Sequence, residues 1–437
     1  MGLPRPAAAD ALLARAADTL APGSLVVLHL VPALLAASLV VVAALTAREL
    51  RAGPTAQVLT ALTVATGAVT VVLGHMLSTA TTDALLSATV VWLAARALVR
   101  DDARWWLAVG LVGGVGLLNK HLVALLLVAL VIGVAATPAV RHHLRSPWAW
   151  CGALVALVLW APNLWWQASR GWPQLALAAD ITEEYGTAGQ RLGFVLLLVV
   201  LLSPVATVLA VRGAARLWRV SALERARPVG VAAVVLVLVY AVTGGKAYYL
   251  AGVLPALVAV GADALVRTST RAGVRRAGVV LALAGMVSWP AALPLLPASV
   301  YGGSVLHDVI EDGGEMIGWP ELVAQVQDAV DRSGAVVVVT ANYGQAGALE
   351  WYGTTVPVHS GHNGYADWGP PPDTLAGPVV LVGYRQVPSW LTGCRTVDTI
   401  DNGAGVDNEE QGAPVRVCDG PTEPWSTVWS QVRRLST

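Results

Sequence analysis

The sequence predicts a polytopic α-helical membrane protein with a C-terminal extracytoplasmic α/β domain. The first observation is a shortage of charge: 13% of the 437 residues are charged and 56% are hydrophobic, where an ordinary soluble domain carries about 25% charged residues. The second is a division hidden in a neutral total. Residues 1–296 hold 22 Lys or Arg against 11 Asp or Glu, and residues 297–437 hold 6 against 17. A wholly soluble fold is excluded, and the balanced charge points to no nucleic-acid partner. The expected organisation is a short leading segment over 1–23, a membrane domain over 24–296 and a soluble domain over 297–437.

Ten apolar stretches support the membrane reading, near 24–47, 56–77, 84–100, 104–119, 121–137, 148–163, 192–212, 229–243, 248–266 and 277–296. Each is long enough to cross a hydrocarbon layer of about 30 Å once tilt and ragged ends are allowed for. Lys and Arg near helix ends are retained in the cytoplasm. One set of alternate loops carries sixteen arginines, from Arg48 and Arg51 to Arg275 and Arg276, whereas the other holds only Lys120, Arg170, Arg191 and Lys246. The arginine-rich loops are therefore expected inside and both chain ends outside. An outward amino terminus with no leading span suggests a chain that starts late, lacking its first helix.

The two lysines of the chain stand out, because both fall on the side that otherwise avoids cations. In Asn119-Lys120-His121 and Gly245-Lys246-Ala247-Tyr248-Tyr249, an ammonium at an outer helix end either anchors the helix in the interface or binds a phosphate as a compact point charge. Either lysine alone fits both readings; the pair favours the second. Asp83 sits just before an apolar run and fits a helix cap as well as a functional acid. Asp263, four residues before Arg267, reads as a structural ion pair. The longest outer loop, about 164–190, follows Asn163 and contains Trp165, Trp166, Gln167 and Trp172, then Asp180, Glu183, Glu184 and Tyr185. Its tryptophans suit an interface, and its acids and aromatics suit a sugar.

After Pro297 the pattern becomes strand, helix, strand, strand: Val336–Val339, Tyr343–Tyr352, Val356–Val358 and Val379–Val382, a small α/β unit. Between the last two strands lies a polar, aromatic loop with His362, Asn363, Tyr365 and Trp368, suited either to carbohydrate or to docking of the domain. Cys394 and Cys418 share an exported domain where a disulfide is permitted, and three cysteines make no metal framework. No phosphate-binding glycine loop, dinucleotide fingerprint, Ser-His-Asp order or internal repeat is present, so no cofactor is expected. The need for a divalent metal stays open.

Six short segments, in order, resemble the polyprenyl-phosphate-sugar-dependent glycosyltransferases of the protein O-mannosyltransferase and aminoarabinose-transferase type (glycosyltransferase family 39-like, GT-C superfamily). They are Thr82-Asp83-Ala84-Leu85-Leu86, Gly116-Leu117-Leu118-Asn119-Lys120, Ala161 to Gln167 with Gly171-Trp172-Pro173, Lys246-Ala247-Tyr248-Tyr249, Asn342 to Ala346, and Ser360 to Tyr365 running into Trp368-Gly369-Pro370. The likeness spans nearly the whole chain. It implies a multi-pass cell-membrane enzyme that moves a hexose or pentose, with inversion, from a lipid phosphate to a protein, lipid or glycan acceptor at the outer face. Transfer needs a carboxylate for the acceptor proton and cations for the departing phosphate. Lys120, Lys246, Tyr248 and Tyr249 are then expected at the donor phosphate. Asn163, Trp166, Gln167, His362, Asn363, Tyr365 and Trp368 are expected at sugar or acceptor. Such enzymes carry their base in the first outer loop, whose end Pro6–Gly23 resembles. The base is thus expected upstream of Met1, with Asp83 supporting, and the chain as given could be an inactive relative that serves as a binding or scaffold protein. A transporter is the runner-up, but paired halves, discontinuous helices and mid-membrane charges are not evident in the sequence.

Overall fold

The computed structural model describes residues 9–175, 188–293, 295–304, 307 and 311–434. The chain forms two units, Leu3–Leu293 and the portion from Pro294 onward.

The first unit is helical. An amphipathic α1 (Ala9–Leu20) precedes α2 (Leu25–Glu49), α3 (Pro54–Thr66), α4 (Ala68–His75), α5 (Thr79–Arg100), α6 (Trp105–Asn119), α7 (Leu122–Ala136) and α8 (Pro147–Ser169). After the loop come α9 (Ala188–Leu202), α10 (Pro204–Arg219), α11 (Arg227–Thr243), α12 (Leu254–Thr268) and α13 (Arg271–Met286). Helix occurs in all ten expected apolar stretches. Among the described residues, four helical segments could each cross a membrane by length and composition, and six could if each of two bent pairs counts as one span. The bends are 57° between α3 and α4 and 100° between Gly193–Val200 and α10. They correct the sequence reading, which expected uninterrupted stretches at 56–77 and 192–212. The reasons are local: Gly67 adopts an extended conformation, and Ser203, at φ 67°, precedes Pro204, whose ring drives its neighbour out of the helical region.

Helices of this unit approach closely where glycine permits it. A Cβ on Gly110 of α6 would overlap the carbonyl oxygen of Gly152 on α8, and one on Gly152 would overlap the carbonyl of Trp106. Gly213 and Gly261 bring α10 and α12 together in the same way. Between apolar helices in lipid, such van der Waals contact is a main source of association. The arginine-rich end is tied by carboxylates. Buried Glu49 accepts from Arg96 at 2.6 Å and from Arg100 at 2.8 and 2.9 Å. Asp263 accepts from Arg267 at 2.6 Å, as its spacing suggested, and from Arg216 of α10 at 3.3 Å.

The second unit contains a five-stranded sheet in the order β2-β1-β3-β6-β5, from β1 (Val337–Thr340), β2 (Val358–Ser360), β3 (Val379–Val382), β5 (Arg395–Thr399) and β6 (Pro414–Cys418). A two-stranded pair is made by β4 (Leu391–Thr392) and β7 (Gly420–Pro421). β1 pairs in parallel with β2 and β3, and β6 runs antiparallel to β3 and β5. The valine runs are unbroken because both faces are covered. Leu322, Val326 and Val330 of α14 (Trp319–Ser333) cover Val338, Val380 and Val415. On the other face Trp425, Val428 and Trp429 of α16 (Trp425–Val432) cover Val337, Val339 and Leu381. Between β1 and β2 runs α15 (Tyr343–Tyr352), the helix expected there, opened by a capping box of Asn342 and Gln345. Cys394 and Cys418 are joined in a disulfide.

The α6–α8 contact makes a direct prediction. Gly110→Val should lower the thermal unfolding temperature in detergent, with an overpacking cost of about 1–3 kcal/mol. Gly193→Ala, whose Cβ would meet nothing within 4 Å, should leave that temperature unchanged or slightly raised.

Candidate functional site

Lys120 lies in the gap between α6 and α7, extended at φ −150° and ψ 129°. Its ammonium stands 4.3 Å from the ring centroid of Tyr249 and 5.3 Å from that of Tyr248. The two tyrosines meet edge to face at 4.8 Å, and Tyr249 meets Tyr240 of α11 at 5.4 Å. An ammonium over aromatic faces gains from the ring quadrupoles, more so when partly desolvated. Tyr248 and Tyr249 belong to a 3-10 turn, Ala247–Leu250, that follows Lys246. Gly252, two residues past that turn, lets it approach α5, since a Cβ there would overlap Ser87.

Asp83 completes the cluster. It is 5% exposed, and it interacts electrostatically with Lys120, which in turn interacts with Lys246. The capping alternative for Asp83 is overturned: α5 begins four residues earlier, and Ser78 is its cap, accepting from the Thr81 amide at 3.4 Å. Among the described residues, Asp83 Oδ1 has no hydrogen-bond partner, and the same holds for Thr82 Oγ1, Asn119 Oδ1 and Gln167 Nε2. Buried polar atoms are nearly always bonded, so these four invite a polar ligand or water.

Asn163 and Gln167 lie one turn apart on α8, both buried, with Trp166 between them. Asn163 Oδ1 is 3.0 Å from His121 Nε2, which connects this face to Lys120. Gln167 Oε1 accepts from the Gln174 amide at 3.3 Å, and Arg170 lies 4.7 Å over the Trp166 ring. The structure thus brings Asp83, Lys120, Tyr248 and Tyr249 together and joins Asn163 to them through His121. The sequence reading overlooked His121, Asn119 and Tyr240. The signals were available: two polar residues flanking a scarce lysine, and one phenol in an aliphatic run. Asp180, Glu183, Glu184 and Tyr185 lie outside the described residues.

The remaining expected residues belong to the second unit, at the carboxyl ends of β1 and β2. The Tyr343 amide donates to His362 Nδ1 at 3.4 Å, and the two rings stack at 5.0 Å. The Asn363 amide donates to the Arg434 carbonyl at 2.8 Å. Tyr365 packs on Trp368 at 4.3 Å, and Trp368 is 72% exposed. Beside them, buried Glu410 accepts from Asn342 Nδ2 at 2.8 Å and from Gln345 Nε2. Burial raises the Glu410 carboxyl above its ordinary 4.5, against the pull of those two amides.

One further cluster bears on metal binding. At the arginine-rich end, Asp101 Oδ1 lies 2.8 Å from His142 Nε2 and 3.1 Å from His143 Nε2, and Arg225 pairs with Oδ2 at 3.2 Å. These three side chains are close enough to share an ion, but their protons are disposed against it. The Trp106 indole N–H donates to His143 Nδ1 at 3.0 Å, so the neutral ring carries its proton on Nε2. A metal-binding histidine does the reverse, donating from its free nitrogen. The cluster is a hydrogen-bonded tie between loops.

Comparisons with known proteins agree with this architecture. Residues 9–166 match the family model described as dolichyl-phosphate-mannose-protein mannosyltransferase. Among solved structures, the chain is similar to ArnT from Cupriavidus metallidurans bound to undecaprenyl phosphate. That similarity has a TM-score of 0.59 and 16% identity over 94% of this chain and 87% of that one. The apo state of the same protein gives 0.56 and 17% over 93% and 86%. No curated protein sequence matches. The chain has the GT-C fold of ArnT.

Two outcomes test the geometry. Gly252→Val should push the tyrosine turn off α5 and lower the unfolding temperature, at a cost of about 1–3 kcal/mol; an unchanged temperature would contradict the contact. The raised Glu410 carboxyl contributes stability that is full below 4.5 and lost as pH rises through its folded-state value. Glu410→Gln should therefore flatten the decline in the second unit's unfolding temperature over that window, and a slope equal to the wild type's would exclude this role.

Proposed function

We propose that this GT-C-fold chain is a membrane glycosyltransferase that moves a sugar from a polyprenyl-phosphate donor to an acceptor at the outer face. The observation that carries the reading is the Lys120 ammonium held over Tyr248 and Tyr249 beside buried Asp83. It lies at the end of the membrane unit that is otherwise poor in cations, within a fold shared with a protein solved with undecaprenyl phosphate. The family match over residues 9–166 includes Asp83, Lys120, Asn163 and Trp166.

In this mechanism the acceptor oxygen attacks the anomeric carbon as the bond from that carbon to the phosphate oxygen breaks. The configuration inverts and the lipid phosphate departs with the electron pair. Lys120 and Lys246 stabilise the charge that grows on the phosphate, and the tyrosines orient Lys120. Asp83 supports this arrangement, while a further carboxylate takes the acceptor proton. Asn163, Trp166 and Gln167 offer hydrogen bonds and a ring face to the sugar or acceptor. In the second unit, which is extracytoplasmic in this reading, His362, Asn363, Tyr365 and Trp368 offer groups of the same kinds.

The bent pairs α3–α4 and α9–α10 favour a second reading, a transporter, since discontinuous helices build many transporter sites. Their breaks fall at Gly67 and Ser203, and neither residue ionises. Membranes supplied with polyprenyl-phosphate sugars, followed by mass analysis of the modified products, separate the two. Lys120→Ala and Lys246→Ala should each lower transfer by about 100-fold, the size of effect seen when one donor to a developing anion is removed. Wild-type turnover in both variants would overturn the donor assignment, and solute uptake into proteoliposomes without any glycosyl product would establish the transporter.

A further inference from the structure

We propose that Asn119 and His121 are positioning residues that set where the Lys120 ammonium sits. The inference rests on the reading of Lys120 as a ligand of the donor phosphate. A lysine stem has many rotamers, and a break between two helices adds freedom of the backbone. Both neighbours of Lys120 remove that freedom.

On one side Asn119 donates from Nδ2 to the Thr79 carbonyl at 2.9 Å. This ties the break to the first turn of α5, one turn before Asp83. On the other side His121 Nε2 meets Asn163 Oδ1 of α8 at 3.0 Å. An amide oxygen only accepts, so Nε2 carries a proton and donates it to Asn163. The Gln174 side chain is the second hydrogen-bond partner of the ring. Trp160 covers the imidazole at 5.5 Å. Gln174 also donates its backbone amide to Gln167, so His121 joins the break to the start of the long loop. Three consecutive residues thus reach three separate elements: Asn119 to α5, Lys120 to the tyrosine turn, His121 to α8. A group fixed in this way can face a phosphate without reorganising, and misplacement by about 1 Å can cost up to about 100-fold.

The test uses the full chain in detergent with undecaprenyl phosphate as the probe, measuring affinity and, without lipid, the thermal unfolding temperature. His121→Phe keeps an aromatic ring against Trp160 and removes both hydrogen bonds, while His121→Gln restores a donor amide. Lys120→Ala should weaken binding at least about tenfold. His121→Phe and Asn119→Ala should each weaken it about five- to tenfold, with the unfolding temperature of His121→Phe close to wild type, and His121→Gln should recover most of the affinity. If Lys120→Ala binds as wild type does, the donor-phosphate reading fails and this inference with it. If Lys120→Ala loses binding while His121→Phe and Asn119→Ala keep it, the positioning role alone is overturned. Affinity that falls only in step with unfolding temperature, with no rescue by glutamine, also overturns it, because a purely structural role predicts that pattern.

Discussion

In apolar surroundings no backbone amide or carbonyl can be left unpaired, and that constraint decides where this protein can hold a charge. An uninterrupted helix satisfies its own backbone but offers only lateral positions to its side chains. A break offers a position along the helix axis, provided that its backbone groups find partners. Lys120 meets the condition: its amide donates to the Gly116 carbonyl at 2.7 Å, and its carbonyl accepts from Val123 at 3.3 Å. The stretch around Lys246 does likewise, with Gly245 donating to Tyr240 at 2.9 Å and Tyr249 donating to Lys246 at 3.1 Å. Both lysines therefore stand at interruptions that close on themselves.

The opposite end of the unit solves a different problem. Many arginines crowd there, and like charges separate helices unless something intervenes. Glu49, Asp101 and Asp263 intervene, each accepting from at least two basic side chains, at least one of them on a neighbouring element. Such multiply paired carboxylates outperform isolated surface pairs, which contribute about 0–1 kcal/mol. Glu49 is also buried, so the loss of its arginines would leave an uncompensated charge in a place that tolerates none.

Much of this was legible in the sequence because lipid imposes a crude rule. Long apolar runs became helices, and the two lysines were conspicuous for their rarity. The second unit was read in outline: the helix at Tyr343–Tyr352 and the strand at Val379–Val382 coincide with the structure. Its antiparallel half, Arg395–Thr399 with Pro414–Cys418, was missed because charged and polar residues interrupt the alternation that marks a strand. The bends at Gly67 and Ser203 were missed since hydropathy is blind to backbone direction. Asp83 was ambiguous from sequence alone, because a serine five residues earlier competes for the capping role and only the helix start decides between them. His121 escaped notice because its partner, Asn163, is distant in the chain and adjacent only through the packing of α6 and α7 with α8.

Helix α5 carries Asp83 near one end and is followed directly by Asp101 at the other. Eighteen residues separate them, about 27 Å at 1.5 Å per residue. Asp101 adopts φ 57°, a left-handed conformation uncommon for any residue with a side chain, and donors from two neighbouring segments clasp its carboxylate. The helix therefore behaves as a strut with a fixed footing: its rotation and height are set far from the lysines. The placement of Asp83 at the lysine end therefore rests on contacts made at the arginine end.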